Sequence, residues 1–321
     1  MKNVVILFTL MLFLLAPAKK GYAQQAPPDT VLAGIYINSI HNIDFKLKEY
    51  SISCWLWLRY DNRAFNFVQY LEIPSAKSVT KSFSTFDTSD GDVYLLMKLD
   101  CVMKDNWEIE NFPFDSQSLR FTIENSQFDS SQLVFKPDTA GHHFNAKWTI
   151  RGWNVDTIEI SNGIKTYQTD FGDIHTQDKE TKYSNFKVKL IVSRDATGLF
   201  WKMFLGMYIA LLIAYMCFYI HADSIDSRFG LSVGALFAVV GNKYVVESTL
   251  PESTSFTLVD SLHGLTLLFI LLTIVGNAVA LRLLKQNKLK TANRYDFIMA
   301  QVMLGLYIIA NIYLINNAVG Q

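Results

Sequence analysis

The stretch from Asp226 to Pro251, DSRFGLSVGALFAVVGNKYVVESTLP, constrains this chain more than any other. It is long enough to cross a bilayer as a helix. It also carries Arg228, Asn242, Lys243, Glu247 and three glycines, which lipid tails do not solvate. Charged and amide groups at membrane depth face a bundle interior or an aqueous pathway. At about 3.6 residues per turn, one face gathers Asp226, Gly230, Val233, Gly234, Phe237, Val240, Gly241, Tyr244 and Ser248, with Glu247 at its edge. That stripe has an acid at each end and narrows from glycines to an aromatic and aliphatic collar. Several copies around an axis would line a pore with acidic mouths and a constriction that gates by dewetting. The competing reading is a loosely packed core helix whose polar groups meet its neighbours.

Three further apolar runs, Phe200 to Ile220, Thr257 to Leu281 and Phe297 to Ile315, flank this one. Together they predict four membrane helices at about 200–220, 227–249, 257–281 and 297–317, within a transmembrane domain over 196–321. Arg282, Lys285, Lys288, Lys290 and Arg294 lie between the third and fourth, which puts that loop in the cytoplasm and both ends of the mature chain outside. Lys2, the apolar run Val4 to Leu15 and the small-residue site Gly21-Tyr22-Ala23 read as a cleaved secretory signal over 1–23. Lys19 and Lys20, between the run and the site, keep an uncleaved anchor as the alternative. The formal charge is zero over 321 residues, so no electrostatic reason exists to expect a nucleic-acid partner.

Residues 24–195 read differently. Alternating text such as Tyr50-Ser-Ile52-Ser-Cys54-Trp55-Leu56-Trp57-Leu58 recurs between turn clusters such as Thr88-Ser89-Asp90-Gly91 and Ser161-Asn162-Gly163. Many short strands punctuated in this way predict an immunoglobulin-like β-sandwich. Phe112-Pro113-Phe114 cannot continue a central strand and predicts a tight loop whose rings pack on an apolar partner, a role the membrane domain can fill. Cys54 and Cys101 are either one disulfide or two buried thiols; spacing does not decide.

Phe112-Pro113-Phe114-Asp115-Ser-Gln117 closely resembles the signature loop of pentameric ligand-gated ion channels, the Cys-loop receptor superfamily. The resemblance runs in order through Tyr36-Ile37-Asn38, Ile43-Asp44-Phe45, the aromatic strand Trp55 to Tyr60, Ile123-Glu124-Asn125, Arg194, and Glu247-Ser-Thr-Leu250-Pro251. Asp105 and Leu119 stand where animal receptors carry the loop's cysteines, so the resemblance is to prokaryotic members without that disulfide.

The resemblance implies a homopentamer in a bacterial inner membrane, with a periplasmic sandwich that binds ligand and a pore lined by the second helix. Acidic rings at Asp226 and Glu247 imply permeant cations, with Phe237 at the gate and Tyr244 above it. Arg228 is expected to turn away from the pore. Tyr167, Phe171 and Tyr183 are placed like the capping hairpin of the agonist site, and Trp57 and Tyr60 like its complementary face. Such a box suits a cationic amine, although core or interface packing competes for any single ring, and protons are the other candidate stimulus. Phe112, Pro113, Phe114, Asp115, Arg194 and Pro251 are implied to couple the two domains. His142, His143 and His175 lack metal-ligand spacing, and no nucleophile, base or cofactor motif points to an enzyme. A non-conducting receptor of the same architecture, sensing an extracytoplasmic solute, is the alternative function.

Overall fold

The computed structural model describes residues 27–88, 91–145, 150–172 and 179–320. The leader over 1–23, Ser89, Asp90 and His175 lie outside the described residues. The alternating text forms strands because one face of each is apolar. Val31, Ala33, Ile35 and Ile37 of β1 (Asp29–Asp44) are fully buried. Ile52, Cys54, Leu56 and Leu58 of β2 (Glu49–Tyr60) are buried in the same way.

The remaining strands are β3 (Leu71–Glu72), β4 (Ala76–Asp87), β5 (Val93–Lys104), β6 (Ser116–Asn125), β7 (Leu133–Pro137), β8 (Trp153–Tyr167) and β9 (Thr181–Arg194). They form a five-stranded sheet in the order β4-β5-β2-β1-β7 and a four-stranded sheet in the order β3-β6-β9-β8. All pairs are antiparallel except β1 with β7. The two sheets form a β-sandwich. Cys54 and Cys101 sit on paired strands two residues out of register, and both are buried free thiols. The disulfide is therefore not formed.

Four helices follow: α1 (Ala196–Tyr215, continued by a 3-10 turn at Met216–Tyr219), α2 (Ile225–Glu247), α3 (Leu258–Lys285) and α4 (Leu289–Val319). Each is long and apolar enough to cross a membrane. At the start of α3, the Thr257 hydroxyl accepts the Asp260 N–H while the Asp260 carboxylate accepts the Thr257 N–H, a reciprocal cap. α4 begins eight residues before the apolar run at Phe297, because the basic segment Lys290 to Arg294 is helical too. α2 packs against both α1 and α3, and α4 against α3. One cluster of buried apolar side chains runs from the sandwich into the bundle.

Candidate functional site

α2 has two unlike faces. Arg228, Ser232, Ala235, Val239 and Val246 are buried against the other helices. On the far side, Asp226, Gly230, Val233, Gly234, Phe237, Val240, Gly241, Tyr244, Glu247 and Ser248 are all exposed. Phe237 is 67% exposed and Tyr244 75%, values far from those of core aromatics. A side chain added at Gly230, Gly234 or Gly241 would meet nothing within 4 Å. The stripe thus lies largely uncovered within one chain.

Polar groups on the buried side of α2 are spent on its neighbours. Arg228 donates to the Ile220 carbonyl, to Asn277 Oδ1 of α3 at 3.3 Å and to Asp296 Oδ2 of α4 at 2.7 Å. Nearer the sandwich, Asn242 Nδ2 donates to the Met203 carbonyl of α1 at 3.1 Å, and its Oδ1 faces His263 Nε2 of α3 at 3.0 Å. His263 Nδ1 meets the Val259 carbonyl at 2.8 Å, and the ring is fully buried. This bridge ties α1, α2 and α3 behind the exposed stripe. Asn311 serves the same purpose elsewhere, accepting from Tyr208 Oη at 3.2 Å, whereas Asn316 is exposed.

Between the domains, Arg194 closes β9 just before α1. Its Nε and Nη2 hold the two oxygens of Asp115 at 2.7 and 3.1 Å. Its guanidinium carbon lies 4.0 Å from the Trp153 ring centre, 4.6 Å from Phe45 and 4.9 Å from Phe112. Gln117 Nε2 donates to Asp115 Oδ2 at 2.7 Å and braces the loop from inside. The Phe112–Pro113 bond is cis, and Phe114 reaches the Phe200 ring of α1, centre to centre 5.5 Å. The Leu258 N–H at the start of α3 donates to the Glu110 carbonyl at 2.7 Å. Pro251 and Glu247 line a cavity of about 240 Å³ with Ile109. The loop's first half thus meets the α2–α3 turn, and its second half meets Arg194 and α1.

At the other end of the sandwich, Tyr167, Phe171 and Tyr183 cluster with ring centres 5.5 to 6.4 Å apart. Lys165 Nζ sits 4.7 Å over the Tyr167 ring, and Tyr167 Oη donates to buried Glu124 at 2.8 Å. That bond, after burial, drives the Tyr167 hydroxyl well above the ordinary phenol range. Trp57 lies in the other sheet. There it stacks on His143 and donates its indole N–H to Asp138 at 3.0 Å, a bond that holds the Asp138 carboxyl below the usual range. Gly34 permits this placement, since a Cβ there would fall 2.3 Å from the indole. Tyr60 does not join Trp57. It is buried against Phe65 and Phe67, because residues three apart on a strand face opposite sides.

No family model matches the chain. Over 268 residues, 77% of this chain and 72% of the relative, it is 20% identical to the proton-gated ion channel of Gloeobacter violaceus. The chain is similar to an ion channel. That similarity agrees with the sheet-rich domain followed by four membrane helices.

Two residues of this architecture escape sequence reasoning, His263 and Asp296; Asn242 stands out by its depth, but its pairing with His263 does not. A lone histidine in an apolar run carries the only available signal, that a polar group at membrane depth has a partner. Asp296 gives even less, since it borders the fourth apolar run among basic residues.

Proposed function

We propose that the chain is a subunit of a homopentameric, ligand- or proton-gated cation channel whose pore is lined by α2. One observation supports this above the rest: a helix packed on one side leaves a continuous stripe uncovered on the other, apolar in the middle and acidic at both ends. In one copy the stripe is an exposed apolar face. In five copies around an axis it encloses a water path narrowed by Phe237 and Tyr244 and rimmed by Asp226 and Glu247, which favour cations. The sandwich lies outside the membrane, and Tyr167, Phe171 and Tyr183 contribute one side of an agonist site. A stimulus acting there shifts a closed-to-open equilibrium by its differential affinity for the two states.

The test is recording from the purified full-length protein in planar bilayers under a cation gradient, across a pH series and a panel of small amines. The expected result is gated current that reverses near the cation potential. Intact pentamers that bind a stimulus without current, in wild type and in Phe237→Ala alike, would sink the channel reading. They would leave the non-conducting receptor.

A further inference from the structure

We propose that Asp296 of α4 sets the charge selectivity of the cytoplasmic mouth by neutralising Arg228; this rests on the pore reading above. Arg228 follows Asp226 by two residues on α2, so the helix turns it from the exposed stripe into the bundle, where it is 2% exposed. Among its partners, Asn277 and the Ile220 carbonyl carry no net charge, and Asp296 is the one ion-pair partner found among the described residues. Charges in a buried site are screened far less than charges in water. An uncompensated Arg228 would therefore project a positive potential onto the mouth in every subunit and oppose Asp226.

Asp296 carries the cancelling charge. It is 3% exposed, its Oδ2 meets Arg228 at 2.7 Å, and its buried Oδ1 has no hydrogen-bond partner in the structure. A carboxylate held by a single cationic partner, with half its acceptors idle, is poorly explained as a general hydrogen-bonding brace. A buried ion pair also adds little stability over an apolar pair of similar volume. What the pair does supply is a sum of zero, which leaves Asp226 to define the mouth. The other charged or titratable groups at this end, His221, Asp223, Arg282, Lys285, Lys288, Lys290 and Arg294, are exposed and screened by solvent.

The experiment needs no current. A reporter thiol is placed at Gly230, on the stripe one turn from Asp226 with open space around it; the native cysteines are buried. Gly230→Cys in the full-length pentamer is exposed to a cationic and an anionic thiosulfonate, and both modification rates are read by intact-mass spectrometry. Asp296→Asn is expected to raise the anionic-to-cationic rate ratio by about tenfold or more. Arg228→Gln is expected to lower it, and the double variant to return it to within about twofold of the parent. An unchanged ratio in a single variant that assembles overturns the proposal. If one single variant does not assemble, the other decides by the sign of its shift. Failure of both, with rescue in the double variant, would make the pair purely structural and also overturn it. If neither reagent reaches Gly230→Cys in the parent, the pore reading itself fails, a result separable from an unchanged ratio.

Discussion

Arg194 shows how much one side chain at a domain boundary can hold. Its fork meets both oxygens of Asp115 while three aromatic rings cover its remaining surface, and the side chain is only 11% exposed. Lysine keeps the charge and loses both the fork and the planar stacking. Arg194→Lys is expected to cost roughly 1–3 kcal/mol, seen as a lower Tm of the full-length protein in detergent. Trp57 offers a pH-dependent counterpart. Its indole N–H holds the Asp138 carboxyl below the usual range, so the bond stabilises the fold above the unfolded carboxylate value and is lost as pH falls through the folded one. The Tm gap between wild type and Trp57→Phe should be widest near neutral pH and close below about pH 4. A gap independent of pH would mean that packing against His143, not the Asp138 bond, is what the indole supplies.

The exposed stripe of α2 was legible because helical periodicity is local: ten residues chosen at helical spacing all lie uncovered, opposite a buried face. The partners of the buried face were not legible. Which carbonyl His263 meets, or that Asn242 spans two helices, depends on how three helices rotate against each other, and no single segment encodes that. Thiol scanning tests the stripe. Cysteines at Val233, Phe237, Val240 and Tyr244 should react with water-soluble reagents at least about tenfold faster than those at Ser232, Ala235 and Val239, following the helical period. A reaction profile without that period would place the aqueous path elsewhere. Removing the bridge is a separate matter: His263→Ala leaves the half-buried Asn242 Oδ1 without its partner and should cost roughly 1 kcal/mol or more, again read as Tm.

At the scale of the molecule, the sandwich was readable from alternation and the membrane domain from run length, since each follows from a single physical constraint. The residues proposed for an agonist site were harder, because a list of aromatics ignores strand parity. Trp57 and Tyr60 cannot share a face of β2, and the structure sends Tyr60 into the core. The junction lay between these extremes. The Phe-Pro-Phe loop announced an apolar partner without naming it, and Phe200 of α1 fills the place. Sandwich and bundle meet there through contacts of different kinds, the Phe114–Phe200 rings and the hydrogen bond from Leu258 to Glu110, while the Arg194–Asp115 fork holds the loop from the sandwich side. Only the first is purely apolar and can be removed without leaving a buried polar group unpaired. Phe114→Ala should therefore leave an assembled protein with an intact α2 stripe but a looser mechanical link. In bilayer recordings its activation curve should move by threefold or more in stimulus concentration, corresponding to about 0.7 kcal/mol, while the reversal potential stays fixed. A changed reversal potential would mean that the loop shapes the permeation path itself, and an unmoved activation curve would place the coupling on Arg194 and the Leu258–Glu110 contact.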